Sequence, residues 1–238
     1  KLFVVREGRV RPGRDEKILT SWNGLMIKGM ARAGRLLGRA DFIASAERAL
    51  DFIRATLWKN DRLLASYKDG RAVMPAYLDD YAFLMDGVLE LLQARWRDGD
   101  LEFLVELAET LLDHFEDKES GAFFFTADDH ERLIHRPKPL GDDATPSGNG
   151  VAALVLQRLG HLLGAKHFLE AAERALLAAR EAVARFPSAH CTLLAALEEY
   201  LDPPQTIVLR GAAQATAPWL TRANVRYAPH RIALAIPP

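Results

Sequence analysis

This sequence predicts a mainly α-helical fold assembled from repeated helical hairpins. Seven stretches carry apolar residues at the i, i+3, i+4 spacing of a single helix face. Short glycine-bearing turns join these stretches in pairs, which makes each pair an antiparallel αα-hairpin. A segment of hairpin and loop character precedes each pair, and Ser21-Trp22-Asn23-Gly24-Leu25 is echoed by Ser147-Gly148-Asn149-Gly150-Val151.

The first helix is expected over about 22–37, carried by Trp22, Leu25, Met26, Ala33, Leu36 and Leu37. The second runs over about 41–57, with Phe42, Ile43, Ala46, Ala49, Leu50, Ile53 and Leu57 on its apolar face. The others fall at about 78–95, 100–115, 148–163, 166–185 and 189–201. Gly38 with Asp41, Gly99 with Asp100, and Gly164 mark the turns, and Pro203-Pro204 stops the last helix. Three β-hairpins are expected ahead of the helix pairs. Leu2–Val5 and Arg9-Val10 would flank Arg6-Glu7-Gly8; Leu63–Tyr67 and Arg71–Val73 flank Asp69-Gly70; Ala122–Phe125 and Leu133–His135 would form the third. The unit is longer than a common two-helix solenoid repeat because the hairpin and its loop are added. Residues 1–202 therefore read as the helical array. Residues 203–238 read as a small α/β tail, with strands at QTIVLR (205–210) and RIALAI (231–236).

Composition narrows the function. Thirty-one basic against 32 acidic residues leave a formal charge of −1, without the basic excess of a nucleic-acid-binding face. No apolar run reaches the ~20 residues of a membrane span. A single cysteine, Cys191, excludes an internal disulfide and reads as a buried structural thiol. A start at Lys1 and not Met reads as a fragment or processed product, with the cytoplasm as the default compartment. The seven histidines show no metal-ligand spacing, and there is no phosphate loop, dinucleotide fingerprint or nucleophile elbow, so neither metal nor cofactor is expected.

Equivalent positions of a repeat point the same way, so the loops entering the first, third and fifth helices should share one rim. They hold most of the unusual polar residues. Asp79, Asp80, Asp142 and Asp143 are the candidate acid/base groups, because carboxylates meeting in a concavity can split their pKa values into a donor and an acceptor. Arg14, Lys17, Arg136 and Lys138 could hold an anionic substrate, with Asp15 contributing from the first loop. Trp22, Tyr77 and Tyr81 could stack on a sugar face, and Asn23, Ser147 and Asn149 complete the polar set. Asp and Ser at helix starts also serve as ordinary N-caps, and the basic residues could pair internally with the same aspartates.

At these loops the chain resembles the YyaL-like, spermatogenesis-associated protein 20 family. The residues that carry the resemblance are Arg11-Pro12 to Asp15, Lys17, Leu19-Thr20-Ser21-Trp22-Asn23-Gly24-Leu25-Met26, Leu78-Asp79-Asp80-Tyr81-Ala82, Gly121 with Phe123-Phe124, Arg136, Lys138, and Ala144-Thr145-Pro146-Ser147-Gly148-Asn149. The resemblance implies an (α/α)6 toroid of the six-hairpin glycosidase type, joined in the family to a thioredoxin-like domain that is not expected among these residues. Asp142-Asp143-Ala144 stands where the family usually reads Asp-Gly-Ala, and Gly150 where it tends to have Ser. Seven helices make an incomplete ring, whose apolar edges could associate with other copies. Sugar hydrolysis or epimerisation follows only by analogy with other such toroids. The expectation is a carbohydrate-binding or carbohydrate-processing module, and its rival is a non-catalytic interaction scaffold.

Overall fold

The computed structural model describes residues 1–131, 134–225 and 228–238. The chain opens on a short helix, α1 (Leu2–Glu7), where the first hairpin was expected. Leu2, Phe3 and Val4 are exposed and among the described residues no strand pairs with them, so the segment satisfies itself locally, with Val5 N–H donating to Lys1 O (3.2 Å). All seven expected helices form: α2 (Thr20–Leu37), α3 (Ala40–Thr56), α4 (Leu78–Ala94), α5 (Asp98–Phe115), α6 (Gly148–Leu163), α7 (Lys166–Arg185) and α8 (Cys191–Leu201). Gly38 and Gly164 end α2 and α6 in the left-handed conformation, which turns the chain directly into the next helix.

The middle hairpin forms as expected. β3 (Arg62–Lys68) pairs antiparallel with β4 (Arg71–Pro75) through Asp69 and Gly70, both at positive φ, and β1 (Ile18–Leu19) and β2 (Trp58–Lys59) also pair with β3. The third hairpin does not form as expected. Phe123 bridges to Glu116 instead, Phe125 N–H donates to Pro137 O (2.8 Å), and Phe125 O accepts from Leu78 N–H (3.0 Å). Leu133 lies outside the described residues.

The helices form two layers. α2, α4, α6 and α8 pack side by side in succession, while α3, α5 and α7 lie against their hairpin partners on the outside. Burial shows which layer is inner: α4 and α6 are buried around nearly their whole circumference, whereas α7 buries one stripe. Glycines set the inner spacing. A Cβ on Gly24 of α2 would stand 2.7 Å from Leu84 N of α4, and a Cβ on Gly87 of α4 would stand 2.7 Å from Gly24 O. Gly150 meets the start of α8 in the same way, its Cβ falling 2.9 Å from Leu193 N.

The tail is a right-sized βαβ unit: β5 (Gln205–Arg210) and β6 (Arg231–Ile236) run parallel, joined through α9 (Ala213–Asn224). It packs on the helices. Ile232 and Leu234 of β6 belong to the main core, and Ala233 N–H donates to Gln93 Oε1 on α4. Among the described residues no helix is long and apolar enough to cross a membrane.

Candidate functional site

The N-termini of the inner helices α2, α4 and α6 meet at one end, and the consecutive aspartates of α4 lie at their junction. Asp80 is 4% exposed, and its carboxylate joins two helix starts: Oδ1 accepts from Ser21 N–H (2.8 Å) and Oδ2 from Tyr77 N–H (2.9 Å). Burial pushes its carboxyl up to about 6, although both backbone donors favour the charged form. Asp79 is different. It is half-buried and accepts no hydrogen bond among the described residues, and burial alone pushes its carboxyl up to about 6. Its Oδ1 rests against the first turn of α6, so close that a Cβ on Gly148 would fall 2.1 Å from it. Only a glycine admits that carboxylate there.

Asp142 is close in sequence terms to the same turn but is fully occupied. Oδ1 accepts from Ser147 N–H (2.8 Å) and Oδ2 from Thr192 N–H (2.9 Å), tying the loop to the starts of α6 and α8. Burial opposes its charged form, but these donors outweigh it and hold the carboxyl below its ordinary value. The Ser147-Gly148 pair thus links two unlike carboxylates: Ser147 binds the capped Asp142, and Gly148 abuts the unpaired Asp79. Asp143 is exposed. The four candidate aspartates therefore differ in their surroundings: Asp80 and Asp142 are held by backbone donors, Asp79 is unpaired among the described residues, and Asp143 is exposed.

The remaining candidates divide clearly. Tyr81 is a correction: its ring is fully buried against Phe115, and its hydroxyl accepts from Leu63 N–H (2.9 Å), so it cannot stack on a ligand. Tyr77 stacks internally on Phe125, with ring centroids 4.9 Å apart. Trp22 stays uncovered, 65% exposed, one residue from the Ser21 that binds Asp80. Asn23 Nδ2 donates to Leu19 O (2.8 Å) within its own helix start. Asn149 is wholly buried; its Oδ1 accepts from Phe123 N–H (2.7 Å), and its Nδ2 donates to Phe123 O (3.0 Å) and Pro139 O (2.8 Å). It locks the 120s loop onto α6. Asn149→Ala should therefore cost about 2–3 kcal/mol, by leaving buried backbone groups unpaired; a urea midpoint unchanged from the parent chain would refute this role.

The basic candidates all have internal partners. Arg14 pairs with Glu16 (Nε–Oε1 2.7 Å), and Lys17 pairs with Asp15 (3.3 Å), whose carboxylate also accepts from Lys17 N–H (3.2 Å). Arg136 donates to Thr126 O (2.6 Å) and lies over the Phe124 ring. Lys138 donates to Asp117 (2.7 Å) and Gly121 O (3.0 Å). One potential metal-ligand group occurs among the described residues, His114 with Asp128 and Asp129, their ligand atoms within 4.8 Å of one another. Arg62 already holds the Asp129 carboxylate in a bidentate pair, which opposes a cation there.

Sequence reading missed a ladder of ion pairs on the inner helices. Lys28 pairs with Asp86, Arg32 and Arg35 share Glu90, and Arg158 forms a bidentate pair with Glu199. Burial pushes the Glu90 carboxyl up, but Arg32 and Arg35 outweigh it and hold the group below its ordinary value. The signal was present in the spacing: Lys28, Arg32 and Arg35 on α2 face Asp86, Glu90 and Gln93 on α4 at the same i, i+4, i+7 intervals.

No family model matches the chain. Spermatogenesis-associated protein 20 of Homo sapiens is 32% identical over 226 residues, 90% of this chain and 29% of that protein. The Mus musculus protein of the same name is 30% identical over 98% of this chain and 31% of its own length. The chain thus spans about three-tenths of the curated relatives it matches. Among solved structures, a GH76 α-mannanase of Bacteroides thetaiotaomicron superposes with a TM-score of 0.64 at 12% identity, over 94% of this chain and 64% of that one. A cellobiose 2-epimerase from Spirochaeta thermophila gives 0.56 at 18% identity, over 69% and 43%. An α-1,6-mannanase of Salegentibacter, solved with mannotetrose as an inactive variant with two consecutive aspartates replaced, gives 0.55 at 14% identity, over 74% and 49%. These likenesses show the fold, a helical-hairpin toroid of the six-hairpin glycosidase and epimerase type. Over nine-tenths of its length, the chain is a homologue of part of spermatogenesis-associated protein 20.

Proposed function

We propose that the rim formed by the starts of α2, α4 and α6 binds a carbohydrate and that Asp79 is its acid/base group. One observation carries this reading. Asp79 is a half-buried carboxyl without a hydrogen-bond partner among the described residues, and its proton affinity is raised to about 6. A structural cap looks like Asp80 or Asp142, with both oxygens bound to backbone N–H groups. An unpaired carboxyl of raised pKa is what proton transfer near neutrality needs. Trp22, one residue from the Ser21 that binds Asp80, supplies an uncovered aromatic face. The sugar-enzyme neighbours add support at the level of fold, and the mannanase inactivated at two consecutive aspartates makes Asp79-Asp80 the natural pair to test. The capped state of Asp80 and Asp142 favours a second reading, a binding scaffold without catalysis.

The test is a thermal-shift screen against mannose- and glucose-based oligosaccharides, on the parent chain and on Asp79→Asn. A ligand at about 100 times its Kd should raise the Tm by several degrees. Loss of that shift in a folded Asp79→Asn chain supports the rim site. No shift with any sugar, while the variant folds normally, moves the weight to the scaffold.

Asp79 also makes a prediction independent of ligand. Its folded pKa lies above the ordinary 3.8, so the folded chain binds this proton more tightly than the unfolded chain does. The penalty is fully present above about pH 6 and disappears as the pH falls towards 4. Asp79→Asn should therefore stabilise the chain at pH 7 by on the order of 2 kcal/mol, with the gain vanishing near pH 4. Denaturant midpoints of both chains across that range check the sign; a variant less stable at pH 7 would contradict it.

A further inference from the structure

At the opposite end from the rim, the tail closes over the C-terminal halves of the inner helices. The seam encloses a cavity of about 20 Å³ lined by Arg32, Arg35, Glu90, Arg158 and Arg231, among others. That is space for one water-sized particle. Four guanidinium groups share it. Arg32 and Arg35 share the single carboxylate of Glu90, and Arg158 is paired with Glu199. Among the described residues Arg231 meets no carboxylate, its side-chain partners being Gln205 Oε1 (2.9 Å) and Ala223 O (2.8 Å). Four cations against two anions leave two positive charges uncompensated in a largely buried place. One donor aims at nothing: Arg35 Nε–H is shielded from solvent and has no acceptor among the described residues, although its two terminal nitrogens are bonded to Asn224 and Glu90.

We propose that this cavity binds a small inorganic anion of halide size, with chloride as the physiological ligand. An anion there satisfies the orphaned donor, offsets the excess charge, and holds the tail to the helices at a point where Arg158 also donates to Pro229 O (3.2 Å). The site is separate from the Asp79 rim and does not depend on it.

The experiment follows the Tm of the whole chain while chloride or bromide replaces gluconate, from about 1 to about 100 mM at constant ionic strength, so that general screening is held fixed. The expected result is a saturable rise of a few degrees with either halide. Arg35→Lys keeps the charge beside Glu90 but lacks the Nε–H donor, and its half-saturating halide concentration should rise about tenfold, the loss of one charge-assisted hydrogen bond. Chlorine NMR line broadening in the parent chain, displaced by bromide, reads binding without any variant. Equal Tm values in chloride and gluconate, or no broadening above that of an unrelated protein, would overturn the proposal.

Discussion

Gly24→Ala is expected to destabilise the chain by about 3 kcal/mol, the upper end for volume added to a packed core. The methyl group would stand 2.7 Å from Leu84 N and from the Phe83 carbonyl carbon, all backbone atoms of α4. A side chain can rotate away from such a clash; a helix backbone cannot. α2 and α4 would have to move apart, and with them the bond from Ser21 N–H to Asp80 that joins their starts. Gly29→Ala in the same helix is the control. It is exposed, a Cβ there meets nothing within 4 Å, and removing a mid-helix glycine should stabilise by ~0.5–1 kcal/mol. Gly87→Ala presses on the same crossing from the other side, its Cβ 2.7 Å from Gly24 O. The double variant should therefore cost less than the two single costs added, because helices already separated by one methyl group admit the second. Urea midpoints for the parent chain and the four variants decide this; equal stabilities for Gly24→Ala and Gly29→Ala would refute the crossing.

That crossing explains both what the sequence revealed and what it hid. The Asn-Gly echo at 23–24 and 149–150 marks equivalent places in two inner helices, and the repeat is legible because close helix packing demands glycine at the same offset each time. Its meaning was not legible. Asn149 looks like a binding residue in the sequence, but its partners are Phe123 and Pro139, brought to it by the fold. The aspartates show the same limit more sharply. Asp79, Asp80 and Asp142 all stand at or before helix starts, yet their roles differ through Ser21, 59 residues from Asp80, and Thr192, 50 residues from Asp142. A cap that closes across another helix leaves no local pattern. Tyr81 follows Asp80 directly, but one step along a helix turns a side chain by about 100°, enough to carry it from the rim into the core. Periodicity located the seven helices α2 to α8 because burial of one face is a local pattern. It missed α1, whose four apolar residues at 2–5 read as a strand but had no partner to pair with.

Glu199→Ala is expected to cost 3–5 kcal/mol, about what breaking a buried pair costs when the partner charge is left behind. Arg158 and Glu199 are 7% and 3% exposed, and their bidentate pair joins α6 to α8. Burial lowers the proton affinity of the guanidinium, but Glu199 more than restores it, so Arg158 is charged in the fold. Without Glu199 the nearest carboxylates acting on Arg158 are Asp86 and Glu90, and both already serve cations on α2. The variant would thus add a third uncompensated charge to a seam that already has an excess of two. Two further measurements separate charge from packing. Glu199→Gln keeps the volume and one acceptor and should cost less than the alanine. Arg158→Met combined with Glu199→Leu removes both charges in apolar form and should recover most of the loss, because apolar isosteres avoid the desolvation that the ion pair must overcome. A high-chloride buffer gives the sharpest contrast. If the seam holds an anion, chloride should stabilise Glu199→Ala more than the parent chain, since the extra positive charge strengthens binding. The apolar double variant, which lacks the Arg158 guanidinium, should respond less than either.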